Sequence, residues 1–227
     1  MIVTYIAHSC FLIELNTCYL LFDYFTGELP PLKDKIIYVF SSHGHFDHFN
    51  KSITTLLENY NAKYILSSDI KKVYNNKNAL YVNHRKEYNI DNIHFKTYKS
   101  TDLGVAFLIN VDNKTIYHSG DLNDWVWEES TDEYNKDMTN KFRNEINSIK
   151  ADSINIDIAF LPLDPRQMQY YYLGMKYTIQ NLNINHIFPM HFGKEYDIIN
   201  KFNLDGHNIN NNNIYKISNN NESWRIQ

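Results

Sequence analysis

The sequence predicts an α/β fold in which two β-sheets pack face to face beneath outer helices. Short apolar segments bounded by turn residues occur in both halves, with helical segments interspersed, and each half runs strands first and helices after. No Gly/Ser-rich linker divides the 227 residues, so a single domain spanning residues 1–227 is expected. That length suffices for a sizeable core.

Met1 to Ala7, Ser9 to Leu15 and Tyr19 to Tyr24 are rich in Ile, Leu, Phe and Tyr and read as strands. Glu28 to Lys35, containing Pro30-Pro31, reads as a loop. Ile36 to Ser41 is a short unbroken apolar run, the mark of a buried strand. A helix is expected over Lys51 to Tyr60, then strand Lys63 to Ser67, a short helix near Ile70 to Asn75 and strand Ala79 to Asn83. Strands Ile93 to Tyr98, Val105 to Val111 and Thr115 to His118 follow, the last two joined by a turn at Asp112-Asn113. Tyr134, Met138, Phe142, Ile146 and Ile149 recur at helical spacing and predict one amphipathic helix over Asp132 to Ile149. Strand Ile156 to Leu161, helix Met168 to Asn181, strand His186 to Pro189, helix Glu195 to Phe202 and a last strand near Ile214 to Ile217 complete the order. The Asn-rich stretch from Asn208 to Asn221 reads as compositional bias.

Hydrophobic residues make up 43% of the chain, near the globular norm. The formal net charge of −4 gives no electrostatic reason to expect a nucleic-acid partner. Lys71-Lys72 and Lys77 read as a solvated face. The amino terminus has neither a basic region nor a long apolar run, so no signal peptide, membrane span or membrane partner is expected. Cys10 and Cys18 flank a turn where a disulfide is conceivable, but two free thiols in a reducing, cytoplasmic setting are the plainer expectation. The oligomeric state stays open.

Function is concentrated in Ser42-His43-Gly44-His45-Phe46-Asp47-His48, three imidazoles and a carboxylate ahead of an expected helix. Imidazole nitrogen and carboxylate oxygen are ligands that borderline divalent metals prefer, zinc above all. Alternate residues on extended backbone point the same way, so His43 and His45 can share one metal while Asp47 and His48 face a second. Tyr117-His118-Ser119-Gly120-Asp121 follows an apolar strand, and Asp121 can offer one oxygen to each of two metals. Phe188-Pro189-Met190-His191 delivers another histidine from a strand end.

Together, His43-Gly44-His45-Phe46-Asp47-His48, Gly120-Asp121 and Pro189-Met190-His191 resemble the metallo-β-lactamase-fold superfamily. The similarity is closest to its branch around ascorbate-6-phosphate lactonase, whose opening hairpin Ala7-His8-Ser9-Cys10-Phe11-Leu12-Ile13 also resembles. The resemblance implies a four-layer αββα sandwich with two facing mixed sheets. It also implies one or two divalent metal ions, with zinc expected and manganese or iron as alternatives. His43 and His45 would serve the first position, Asp47, His48 and His191 the second, and Asp121 would bridge. The family's further first-position histidine is missing: Thr97-Tyr98-Lys99-Ser100-Thr101-Asp102 stands in its place, and Asp102 is the possible replacement. His84, His94 and His118 are the other imidazoles weighed. His84 and His94 read as structural or surface residues, and His118 either supports Asp121 or packs.

The expected chemistry is hydrolysis by a metal-bound hydroxide of a small, possibly anionic ester, lactone or phosphoester, oriented by Asp47 and Asp121 as catalytic carboxylates. His8, Trp125 and Arg166 are candidate substrate or supporting contacts, Arg166 as an anion clamp unless it pairs locally with Asp164. Two other readings stay open: a nuclease or phosphodiesterase, and a degenerate non-catalytic metal-binding protein.

Overall fold

The structure is a computed structural model that describes residues 1–208 and 213–226. Residues 209–212, part of the Asn-rich stretch, lie outside the described residues. Among the described residues, fourteen strands form two seven-stranded mixed sheets. The first contains β1 (Ile2–Ala7), β2 (Cys10–Glu14), β3 (Cys18–Phe22), β4 (Ile36–Ser41), β5 (Ala62–Ser67) and β6 (Ala79–Val82) side by side, with β14 (Ser223–Arg225) against β1. Its first half is antiparallel, and β3 to β6 are parallel. β3 and β4 are buried almost throughout, as unbroken apolar runs in parallel strands require.

The second sheet mirrors this plan. β7 (Lys86–Ile90), β8 (Ile93–Lys99), β9 (Val105–Val111) and β10 (Lys114–His118) are antiparallel, while β11 (Asn155–Pro162), β12 (Asn183–Met190) and β13 (Asn213–Ile214) continue from β10 in parallel. Aromatic side chains fill the space between the sheets. Phe11 lies 4.4 Å from Phe160, and Phe40 lies 5.2 Å from Phe107 and 5.6 Å from Phe95, centroid to centroid. This is the αββα sandwich expected from the sequence.

On the outside, α1 (Ile53–Leu56) presses Ile53 onto an apolar cluster with Ile6, Leu21 and Val39. α2 (Asp132–Ala151) packs on β8 and on α3 (Leu173–Asn181), and α3 packs on β11 and β12. Thr131 caps α2 by accepting the Tyr134 N–H at 3.2 Å, and Asp132 and Glu133 suit its positive end. α4 spans Asp197–Leu204.

Several expectations need correction. The helix expected over Lys51 to Tyr60 shrinks to α1, with turns on either side, since Lys51 and Tyr60 bond only locally. The helix near Ile70 is one 3-10 turn, Ile70–Lys72. The helix expected from Met168 is a 3-10 segment, Pro165–Tyr170, and then α3, because Met168 at φ +51° breaks the helical path. β7 and β14 were not foreseen. Both are polar edge strands without an apolar run. Cys10 and Cys18 are buried and free. Among the described residues, no helix is long and apolar enough to cross a membrane.

Candidate metal centre

Loops leaving the carboxyl ends of parallel strands supply most of the candidate residues, the place where open α/β sheets display ligand-binding groups. Asp23 follows β3, Ser42 to His48 follow β4, Ser119 to Asp121 follow β10, Asp164 follows β11 and His191 follows β12. His8 comes from the two-residue turn between β1 and β2, and Asp102 from the β8–β9 loop.

These distant loops converge into two adjoining groups. One holds His43, His45, Asp102 and Asp121, the other His8, Asp47, His48 and His191, and in each the potential ligand atoms lie within 4.8 Å of one another. Asp121 faces both. Its Oδ2 lies 3.5 Å from His43 Nε2, while Oδ1 lies 3.2 Å from His48 Nε2 and 3.4 Å from His191 Nε2. In the first group His43 Nε2 and His45 Nδ1 are 3.0 Å apart, and Asp102 Oδ2 sits 3.3 Å from His45 Nδ1. In the second, His8 Nε2 is 3.4 Å from Asp47 Oδ2, and the His8 and His191 ring centroids are 4.3 Å apart.

The backbone is bent to achieve this. His8, Asp23 and His191 adopt φ of +53°, +44° and +67°, the left-handed region that non-glycine residues avoid. Such conformations cost on the order of 1–3 kcal/mol each and cluster at functional sites. Two glycines let neighbouring loops close on Ser42. A Cβ on Gly104 would lie 2.0 Å from Ser42 O, and one on Gly120 would lie 2.7 Å from Ser42 Cβ.

Behind the ligand candidates stands a buried polar layer that sequence reasoning missed. Asp23 accepts from the Ser42 N–H at 2.7 Å and its hydroxyl at 2.6 Å, and lies 2.7 Å from His48 Nδ1. Asp164 lies 3.0 Å from His191 Nδ1. These carboxylates orient the two imidazoles so that Nε2 faces the centre, the usual arrangement behind metal-binding histidines. The strand expected over Tyr19 to Tyr24 ends at Phe22, and the only signal in the sequence for Asp23 was an acidic residue interrupting that apolar run. His118 does not touch the Asp121 carboxylate. It stacks on Phe22, lies 3.1 Å from Ser9 O through Nε2, and accepts the Gly120 N–H at Nδ1, so it braces the Asp121 turn through the backbone.

The donor set fits a cation. Buried His8 Nε2, His48 Nε2 and Asp121 Oδ1 make no hydrogen bond, and leaving such atoms unpaired costs roughly 1–3 kcal/mol each. Burial would push His48 and His191 down, but Asp121 with Asp23 raises His48 well above its ordinary value, and Asp121 with Asp164 raises His191 to about 9. Burial would likewise raise Asp121, yet His48 and His191 hold it well below the usual carboxylate range. The local field favours positive charge at the centre.

A cleft of about 430 Å³ opens beside the groups, lined by Asp47, Asp102, Asp121, Trp125, Arg166 and His191 among others. Trp125 is buried and its Nε1–H donates to Asp121 O at 2.9 Å. Arg166 pairs with Asp164 through Nε and Nη2, the local ion pair weighed from the sequence, while its side chain still reaches the cleft. His84 and His94 are exposed and outside both groups.

The profile of the beta-lactamase superfamily domain matches residues 2–136, so the chain belongs to that superfamily. Fold and site together define the class expected from the histidine string, a metallo-β-lactamase-fold enzyme. The structure resembles Igni18, a metallo hydrolase from Ignicoccus hospitalis KIN4/I, with TM-score 0.68 and 14% identity, over 100% of this chain and 99% of that one. It also resembles YhfI from Bacillus subtilis, a metallo-β-lactamase-fold protein, with TM-score 0.64 and 15% identity over 98% of each chain. CmlA, a diiron β-hydroxylase from Streptomyces venezuelae, shares the fold at TM-score 0.72 and 9% identity, over 99% of this chain and 54% of that one. At these identities the likeness is one of fold. No curated protein gives a significant match.

Proposed function

We propose that the protein is a metal-dependent hydrolase of a small anionic ester, lactone or phosphoester, working with two adjacent divalent cations. The observation that carries this is Asp121, whose two carboxylate oxygens face the two histidine groups separately. His43, His45 and Asp102 would hold one cation, His48, His191, Asp47 and His8 the other, with Asp121 between them. Divalent cations in such a centre make hydroxide available by lowering the pKa of water from 15.7 toward roughly 7, and they polarise a carbonyl or phosphoryl oxygen.

The chain's own groups do the rest. Asp23 and Asp164 keep His48 and His191 aimed at the centre. Asp47 and Asp121, which both line the cleft, orient the attacking water by accepting its hydrogen bonds. Arg166 meets the negative charge of the substrate. Two divalent cations would balance the carboxylates of Asp23, Asp47, Asp102 and Asp121, and with Asp164 paired to Arg166 the loaded site no longer repels anions.

Zinc is the proposed metal, though imidazole and carboxylate donors also accept manganese and iron. CmlA, which shares this fold over 54% of its chain, is a diiron enzyme, and that gives iron its place in the test. The lactone within this substrate class follows the resemblance of the opening hairpin to the ascorbate-6-phosphate lactonase branch. The substrate is a small molecule, with no nucleic-acid partner in this reading. Asp121→Ala is expected to abolish turnover of lactone and phosphodiester substrates and to lower bound metal, read by elemental analysis. A variant that kept full activity would overturn the reading.

A further inference from the structure

Resting on that hydrolase reading, we infer that the cleft selects a substrate carrying an aromatic ring next to its anionic, scissile group. One wall of the cleft is a stack of aromatic rings that begins at the metal centre. The Trp125 ring lies 5.4 Å from that of His191 and is fixed by its hydrogen bond to Asp121 O. Trp127 lies parallel to Trp125, with centroids 5.9 Å and planes 3° apart, and is only partly buried. A flat ring entering the cleft meets this wall beside the reacting centre.

Two exposed aromatic side chains extend the same surface. Phe46 sits between His45 and Asp47, lines the cleft and is 85% exposed, so a ring bound there would cover apolar surface that water now reaches. Tyr134 is the first member of the apolar stripe of α2. Met138, Phe142, Ile146 and Ile149 of that stripe are buried, whereas Tyr134 is 46% exposed and lines the cleft. The core-facing stripe therefore runs out into the site, where protein no longer covers it.

Arg166 adds the polar end. Asp164 engages its Nε and Nη2, which leaves Nη1 without a partner among the described residues. The guanidinium is thus held in place with one edge free for a carboxylate or phosphate oxygen. Parallel indoles favour a planar ring over an alkyl chain, because a flat ring can continue their offset stack.

Metal-loaded protein should bind phenylphosphonate about tenfold more tightly than methylphosphonate, measured by calorimetry. Trp127→Ala and Phe46→Ala should each remove most of that preference while metal content stays unchanged. Equal affinities for the two phosphonates in the wild-type protein would overturn the inference, as would a preference that survives both substitutions. Hydrolysis is read separately, on monoesters of phenylphosphonate and methylphosphonate that share one non-aromatic leaving group. Turnover of both at equal kcat/KM refutes the ring preference and leaves the hydrolase reading standing. Selective phenylphosphonate binding without turnover of any ester does the reverse.

Discussion

Asp102 stands where the resemblance calls for a histidine, and its side chain, like that of His45 beside it, is nearly half exposed at 44% and 48%. His48 and His191 are almost fully buried and braced from behind by Asp23 and Asp164. Water reaches the first pair of side chains far more than the second, so the first of the two proposed positions is expected to hold its ion more weakly. Asp102→Ala is expected to reduce bound metal from two ions toward one per chain after gel filtration, and Asp102→His to restore it. Unchanged stoichiometry in Asp102→Ala would remove that carboxylate from the ligand set. Asp102 and its place with His43 and His45 were an expectation of the resemblance, which leaves the segment from Thr97 to Asp102 as the one without its usual histidine. The exposure of Asp102 and His45 was not, because burial depends on how loops separated by 56 intervening positions settle in the fold.

Among the elements, α2 matters most to the cleft, since Tyr134 and Met138 lie on it. Two carboxylates tie it to the second sheet. Buried Glu145 pairs with Arg85 and accepts the Lys99 N–H at 3.2 Å, and Asp152 accepts from Lys96 at 2.8 Å and from the Tyr98 hydroxyl. Burial pushes Asp152 up, but Lys96 and Tyr98 outweigh it and hold the carboxyl below its ordinary value. A depressed folded-state pKa contributes stability above the unfolded value of about 3.9 and loses it as pH falls through the folded value. Asp152→Asn should therefore cost about 1–2 kcal/mol at pH 7, with the gap to wild type closing below roughly pH 4, by denaturant unfolding at both pH values. An equal cost at both would show that charge is not what Asp152 contributes. Helix α2 was legible because its stripe repeats over several turns. β7 and β14 were not, because an edge strand needs backbone pairing on one side only and imposes little on its side chains.

Across the whole molecule, one set of aromatic rings joins the two sheets and supports the site from below. Phe160 lies 4.4 Å from Phe11, 5.8 Å from Phe22, 5.7 Å from Phe188 and 5.6 Å from His118, the residue that holds the Asp121 turn. Phe160→Ala should cost about 3–5 kcal/mol, read as a lowered Tm, and should weaken metal binding through the loosened His118. A destabilised protein with unchanged metal affinity would show that the centre holds its shape without that support. The two-sheet plan was legible from runs of apolar residues, since every strand must bury its side chains somewhere. The division of strands between sheets depended on pairing over long separations.

By itself, the sequence determined the kinds of ligand, their place at strand ends and the general architecture, because coordination chemistry and hydrophobic patterning belong to side chains and short spacings. Tertiary structure alone decided that His8 joins Asp47 and His191 and that Asp23 and Asp164 stand behind the histidines. Those neighbours meet only because two buried sheets bring the ends of non-adjacent strands to one edge, and burial makes each unpaired polar atom costly enough to fix its partner.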